Sequence, residues 1–319
     1  MKKAQKNNKP ILIIFGPTGV GKSDLALQIA QHVSAEIVNM DVGQFYTPLS
    51  IGTAKPDWQK SPVPHHLFDV INEPKQLTVV TYRNKLSEKI NSIWKNEKIP
   101  IVVGGSGFYL KSLFFPPRTI RGNNPIVGQI NDDDSWCLLK KIDPHRAAQI
   151  DKKDTYRISR ALMIWRETGK SPSVYLPFFQ PLGNSLIIFA NRERNELYDR
   201  IDNRVLQMID QGWIDEVRNL QGTAWESFIR LKKIIGYDNI FDYLQHETIQ
   251  ARQYMIKIIQ QRTRNYAKRQ HTFWRMLKNK LKQASSFDKE QEIFLDEVNL
   301  TFIPLHLYIK QLLEQLRIK

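Results

Sequence analysis

Four lysines (Lys2, Lys3, Lys6, Lys9) stand among polar residues at the start of the chain, which then turns abruptly apolar over residues 11–15, ILIIF. A continuous β-branched and aliphatic run predicts a strand buried on both faces, as in a parallel sheet. The stretch DLALQIAQHV that soon follows spaces Leu25, Leu27, Ile29 and Val33 as a helix does. A second short strand is expected over 36–40, ending at Asp41. A helix is expected over 81–95, where Tyr82, Leu86, Ile90, Ile93 and Trp94 share one face. Pro100 then introduces IVV (101–103), another buried strand, stopped by Gly104-Gly105. Strands alternating with helices predict an α/β fold, a parallel sheet flanked by helices and joined by crossovers.

The pattern changes near Phe115-Pro116-Pro117. From there to about Leu182 the periodicity is helical without a strand signal, Asp143-Pro144 opening one helix and Pro172, Pro177 and Pro181 closing the segment. SLIIFA (185–190) then resembles a strand returning to the sheet. The remainder is expected to be helical, with Leu197, Ile201, Val205, Met208 and Ile209 on one face and Met255, Ile258 and Ile259 on another. The expected organisation is a disordered basic tail over 1–10, a core of 11–116 and 183–319, and a mainly helical insertion over 117–182.

Composition narrows the class. The 319 residues are 41% hydrophobic and 25% charged, which excludes a low-complexity or disordered chain. The single cysteine, Cys137, excludes a disulfide framework and a Cys-based zinc site and suits a reducing cytoplasm. No apolar run is long enough to cross a bilayer, and the lysine-rich start does not read as a signal peptide. A cytoplasmic protein without a membrane partner is expected.

The net charge of +15 is concentrated. Besides the four N-terminal lysines, residues 252–282 hold Arg252, Lys257, Arg262, Arg264, Lys268, Arg269, Arg275, Lys278, Lys280 and Lys282 with no acid among them. Setting those fourteen aside leaves 33 basic residues against 32 acidic ones. A solvated helix face would look the same, but Tyr266, Phe273 and Trp274 interleave with the charges, and that favours nucleic acid.

Gly16-Pro17-Thr18-Gly19-Val20-Gly21-Lys22-Ser23 fits G-x-x-x-x-G-K-[ST] between a predicted strand and a predicted helix. Its backbone amides would form an anion nest, Lys22 would reach terminal phosphate oxygens and Ser23 would ligate Mg²⁺. The usual inference is a nucleoside triphosphatase or kinase, yet the IVV strand ends in Gly104-Gly105-Ser106-Gly107 without a metal-binding acid. The carboxylate at a matching strand end is Asp41, which would hold the metal or act on a substrate. The residues define a diphosphate site and leave its owner open.

Several segments together resemble one family, the bacterial tRNA dimethylallyltransferases. The phosphate loop matches its GPT-x-x-GKS/T; Asp41-Val-Gly-Gln44-Phe-Tyr46 matches D-S-x-Q-x-Y; Ile51-Gly-Thr-Ala-Lys-Pro56 matches I-G-T-A-K-P in full. His65-His66-Leu-Phe-Asp69-Val70, Val103-Gly-Gly-Ser106-Gly-Phe-Tyr109, Asp154-Thr-Tyr-Arg157-Ile-Ser-Arg160-Ala-Leu162, Ile235-Gly-Tyr237 and Thr263-Arg-Asn-Tyr-Ala-Lys-Arg-Gln-His-Thr272 follow in the family's order. Coverage runs from about residue 10 to 275. Val42 stands where the family has serine, Ser106 where it has threonine, and Gly128 where an arginine is common.

The resemblance implies transfer of a dimethylallyl group from dimethylallyl diphosphate to N6 of the adenosine beside the tRNA anticodon, with Mg²⁺, by a monomer. Asp41 would take the N6 proton. Lys22, Thr18, the loop amides and a Ser23-bound Mg²⁺ would neutralise the leaving diphosphate; Arg204 is a weaker candidate for a second clamp, a helix-surface salt bridge being the other reading. A base in the anticodon loop must leave its stack to react. Asp41, Val42, Gly43, Gln44, Ser106, Gly128 and the segment Tyr156, Arg157, Ile158, Ser159, Arg160 are implied tRNA contacts. Gln44 is expected to pair with an adenine edge. Arg264, Lys268 and Arg269 are expected to meet tRNA phosphates. His65-His66 suits a structural turn better than a metal site. The rivals are a small-molecule P-loop kinase or ATPase and a non-catalytic RNA-binding protein; the basic, aromatic-interleaved segment weighs against the first, the intact Lys22, Ser23 and Asp41 against the second.

Overall fold

Residues Pro10–Phe15 form strand β1, and five of its six side chains are buried, as the unbroken apolar run requires. A computed structural model describes residues 9–117, 132–175, 177–287 and 291–315. Helix α1 (Lys22–His32) leaves the phosphate loop and leads to β2 (Ala35–Asn39), followed by the two-residue β3 (His65–His66). Helix α2 (Val79–Lys95) starts at Thr78, whose hydroxyl accepts from the Thr81 amide, and buries the face formed by Tyr82, Leu86, Ile90, Ile93 and Trp94. Next come β4 (Ile99–Gly104) and α3 (Gly107–Phe114). A segment with α4 (Asp132–Ile142), α5 (Pro144–Ala147) and α6 (Thr155–Thr168) precedes β5 (Asn184–Asn191). Then α7 (Arg194–Asp210), α8 (Trp213–Arg218), α9 (Ala224–Lys232), α10 (Tyr237–Tyr243) and the 39-residue α11 (Ile249–Phe287) lead to β6 (Ile293–Asn299) and α12 (Leu305–Gln315).

All strands are parallel, in the order β3-β2-β4-β1-β5-β6. The central position of β1 explains its composition, since both neighbours and both covering layers are apolar. The chain leaves each of the central strands at the same, carboxyl edge, where ligands of open α/β sheets collect.

Strand β6 corrects the expectation of helices alone after residue 190. Its sequence, IFLDEVN, is an edge strand whose two carboxylates are occupied by other elements: Tyr308 donates to Asp296 (2.6 Å), while Trp274 and Lys278 of α11 reach Glu297 (2.7 and 2.8 Å). Acids in mid-run hide an edge strand from an apolar-run criterion. The two-residue β3 carries the His-His pair. His66 Nε2 lies 2.6 Å from Glu36, which Lys98 also contacts at 2.8 Å. Burial acts to raise the Glu36 pKa, but these two partners outweigh it and hold it below the usual carboxylate value. No group of three or more metal-ligating side chains occurs among the described residues.

The chain divides into two compact units, 1–114 with 181–319, and 115–180. The smaller has its own modest core of Leu139, Ala147, Ile150, Ile158, Ala161 and Leu162, and Asp143 ties its turns together by accepting from the Arg146 and Ser173 amides (2.9 and 2.6 Å). So small a core is sensitive to truncation. Leu162→Ala should cost about 2–4 kcal/mol locally. Hydrogen exchange should then show faster exchange of α4 and α6 amides, with those of β1, β4 and β5 as protected as before.

Candidate active site

The phosphate loop bends because two of its glycines take backbone conformations that L side chains avoid, Gly19 at φ 83° and Gly21 at φ 102°. Two arginines beyond the loop hold it from behind. Arg192 Nε donates to the Val20 carbonyl (3.0 Å) and Arg200 Nε to the Gly19 carbonyl (2.9 Å). Lys22 Nζ folds back onto the Pro17 carbonyl at 2.8 Å. Removal from water lowers its pKa to about 8; the Asp41 charge opposes that shift and the Arg204 charge adds to it. Arg204, on α7, is itself lowered by burial and feels Asp41, Asp24 and Arg200. It makes no hydrogen bond or ion pair with another described residue, and neither do the hydroxyls of Thr18 and Ser23. Two buried cations, two hydroxyls without a partner among the described residues and a glycine nest make a donor set that suits a diphosphate.

Asp41 caps the short 3₁₀ turn Val42–Phe45 at the end of β2. Asn39 fixes it, its Oδ1 accepting from the Asp41 amide (2.7 Å) and its Nδ2 donating to the carbonyls of Asp41 and Leu67. Ser106 Oγ accepts from the Val42 amide at 3.1 Å, which joins this turn to the loop after β4. That loop explains its own glycines. A Cβ on Gly104 would lie 2.3 Å from the Met40 backbone, one on Gly105 2.2 Å from Gln270 Nε2, and one on Gly107 2.4 Å from the Phe273 ring. One face of α11, carrying Tyr266, Gln270 and Phe273, is laid along Gly105–Gly107. Gln270 is buried and bridges two loops, accepting from the Thr18 amide (2.9 Å) and donating to the Gly105 carbonyl (2.8 Å). Tyr266 donates to the same carbonyl at 3.2 Å; burial first, and the Asp41 charge second, raise its pKa.

The segment IGTAKP serves this turn. Glu216 of α8 accepts from the amides of Ser50, Ile51 and Gly52 (2.9, 2.7 and 3.2 Å) and from the Tyr237 hydroxyl (2.6 Å). Gly52 lies against the Trp213 indole, leaving no room for a Cβ. Lys55, almost wholly buried, is ion-paired with Asp69, which also accepts from Trp58 Nε1 (2.9 Å). Two of the motifs noted in the sequence therefore bind each other.

Several expected contacts need correction. The Gln44 amide donates to the Thr53 and Ala54 carbonyls (3.1 and 3.2 Å), so both its donors anchor the neighbouring loop instead of facing a base edge. Gly43 packs against Thr53, whose methyl occupies the space of a Cβ. Arg264 is bound to the Asp202 carboxylate of α7 (2.6 Å to Oδ2), which makes it a helix tie and not a phosphate contact. Ile158 is 1% exposed in the small unit's core, so its side chain faces no ligand. Its neighbours Tyr156 and Arg157 are exposed, Arg157 pairing with Asp154 (3.2 Å); Ser159 and Arg160 are half-buried. Lys268 and Arg269 are exposed, Arg269 lying 5.7 Å from the Tyr266 ring centre. Val42 is exposed and Ser106 buried. Gly128 lies outside the described residues. Sequence reasoning missed Gln270, Glu216, Asn39 and Arg200, polar residues whose roles depend on partners distant in sequence.

A glycine nest on the central strand, a carboxylate on the next strand but one and a basic helix closing over both define a P-loop type of transferase. The model for IPP transferase matches residues 44–277, and the chain belongs to that family. It is similar to the tRNA dimethylallyltransferase of Alkaliphilus oremlandii, 35% identical over 283 residues, 85% of this chain and 90% of that one. Among solved structures it resembles the full-length tRNA isopentenylpyrophosphate transferase of Bacillus halodurans (26% identity, TM-score 0.63, 98% of this chain and 96% of that). It also resembles a eukaryotic dimethylallyltransferase described as acting on tRNA (26% identity, TM-score 0.74, 91% and 74%). No helix among the described residues is long and apolar enough to cross a membrane.

The Lys22 environment has a measurable consequence. A diphosphate prefers the protonated amine, and Lys22 loses its proton from about pH 8 upward. Affinity for inorganic diphosphate should therefore fall as pH rises from 8 to 10, approaching tenfold per pH unit, with proton uptake on binding. Calorimetry in two buffers of different ionisation enthalpy checks this, with Lys22→Met as the control. The variant should bind weakly, and any pH dependence left in it belongs to the ligand.

Proposed function

We propose that this protein transfers a dimethylallyl group from dimethylallyl diphosphate to N6 of the adenosine beside the tRNA anticodon. The observation that carries the reading is the bridge made by Gln270, which brings a diphosphate nest and the Asp41 turn under one face of a basic helix. A long basic helix closing over the site suits a polyanionic substrate such as tRNA better than a small molecule.

The exocyclic amine of adenine is a poor nucleophile because its lone pair is delocalised into the ring. As N6 bonds to the allylic carbon, the C–O bond to the diphosphate breaks and its electron pair leaves with the diphosphate. Asp41 accepts the proton that N6 sheds. Lys22, Arg204 and the loop amides bind the diphosphate as it gains charge, and the Thr18 hydroxyl donates to the oxygen being released. The donor set suits Mg²⁺, which takes few protein ligands and keeps water and phosphate oxygens: the Ser23 hydroxyl would hold it at the nest. When bound, the ion adds charge neutralisation to the leaving group. The reactive adenosine must leave its stack to enter, and the protein works as a monomer on the anticodon stem-loop.

Incubation with unmodified tRNA, Mg²⁺ and labelled dimethylallyl diphosphate should label the RNA; ATP consumption without labelled RNA would overturn the reading. Asp41→Asn should keep the fold and the diphosphate affinity while lowering kcat by roughly 10²–10⁴. Rescue of that variant by excess Mg²⁺ would make Asp41 a metal ligand and not the base; Ser23→Ala should be metal-rescuable in either case.

The phosphate-binding role divides the basic residues of α11. Lys268→Ala and Arg269→Ala should each reduce the log–log salt dependence of tRNA binding by about one unit. Arg264→Ala should leave that slope unchanged and lower the unfolding midpoint in urea, because it unpairs Asp202.

A further inference from the structure

Phe108 is 64% exposed on the first turn of α3, two residues beyond the Ser106 that holds the Asp41 turn. A single exposed phenylalanine is ordinary. This one is supported on three sides of its chemistry. Its successor, Tyr109, points inward, 5% exposed, with its ring centre 4.4 Å from that of Tyr82 and 5.6 Å from that of Phe45, so the helix start is pinned and Phe108 is turned outward. Behind it stands Phe273 of α11, its ring centre 5.9 Å away at a 44° tilt. Phe273 reaches that position because Gly107 has no Cβ to obstruct it. One turn back along α11, Arg269 is exposed, with its guanidinium 5.7 Å from the Tyr266 ring centre, and Lys268 beside it in sequence is exposed too.

We propose that Phe108, backed by Phe273, is a stacking platform for an RNA base that flanks the reacting adenosine. The inference rests on the prenyltransferase reading and extends it to the recognition of the neighbouring nucleotide. The occupant is a nucleobase because an open aromatic face next to cations suits a planar base on a phosphate backbone, and stacking of this kind tolerates any base. A base swung out of a loop leaves its neighbours without a stacking partner, and an aromatic side chain at the entrance takes that place.

The test uses the full-length protein and an unmodified anticodon stem-loop. Phe108→Ala should raise the KM for the stem-loop at least about fivefold and leave the KM for dimethylallyl diphosphate unchanged. Phe108→Trp should restore the wild-type value, whereas Phe108→Leu, apolar but without a π-face, should stay close to alanine. A 2-aminopurine placed beside the target adenosine should be quenched on binding wild type and not on binding Phe108→Ala. Full activity of Phe108→Leu would show that any apolar cover suffices and overturn the proposal, as would an unaltered Phe108→Ala. Failure of the wild type to label RNA would instead overturn the prenyltransferase reading, and the quenching measurement does not depend on turnover.

Discussion

The contact between α11 and the loop after β4 is a backbone-to-side-chain approach that only glycine permits. Gln270 sits 2.2 Å from where a Cβ of Gly105 would be, and the Phe273 ring 2.4 Å from that of Gly107. Because the helix can descend this far, its buried amide spans from the Gly105 carbonyl to the Thr18 amide. The phosphate nest and the Asp41 turn then keep a common reference. Bulk on either glycine would lift the helix, and the two halves of the site would part. The other side of α11 is fixed as firmly: Trp274 stacks on Phe189 with ring centres 5.1 Å apart and planes 4° from parallel.

Electrostatics in the site follow from this closure. Lys22 and Arg204 lie near each other and are drawn out of water, which costs both of them proton affinity, while Asp41 partly compensates. A site with two cations and one carboxylate in a low-dielectric setting has a deficit of negative charge. Such a deficit is a stronger attractant for a diphosphate than the same charges in solvent.

The sheet was legible in the sequence because its inner strands are short, largely apolar runs, three of them ended by glycine or aspartate, and the phosphate loop because Gly19 and Gly21 are dictated by backbone conformation. Strand β6 escaped because its acids serve Tyr308, Trp274 and Lys278, partners whose identity no local pattern carries. The site residues divide in the same way. Lys22, Ser23 and Asp41 announce themselves by position at strand ends. Gln270 does not, for a glutamine on a basic helix looks like solvated surface until its two loops are known. Gln44 and Arg264 show the converse: residue type suggested an external ligand, and the fold supplied internal partners, the Thr53 and Ala54 carbonyls and the Asp202 carboxylate. The charge of residues 252–282 is accordingly of two kinds, with Arg262, Arg264 and Lys278 paired inside the molecule and Lys268, Arg269 and Arg275 facing out.

The bridge between Thr18 and Gln270 spans 252 positions of the chain, and that between Gly105 and Gln270 spans 165. A chain emerging from the ribosome has made its phosphate loop long before the helix that completes the site exists. At several to about twenty residues per second, the interval is of the order of tens of seconds. Through that time the nest lacks its closing helix, and until residues 184–191 are made the central strand β1 also lacks β5, one of its two neighbours. Such separated partners give the fold a slow, late final step. They also ensure that a truncated product, however well it forms its first strands, carries no assembled site.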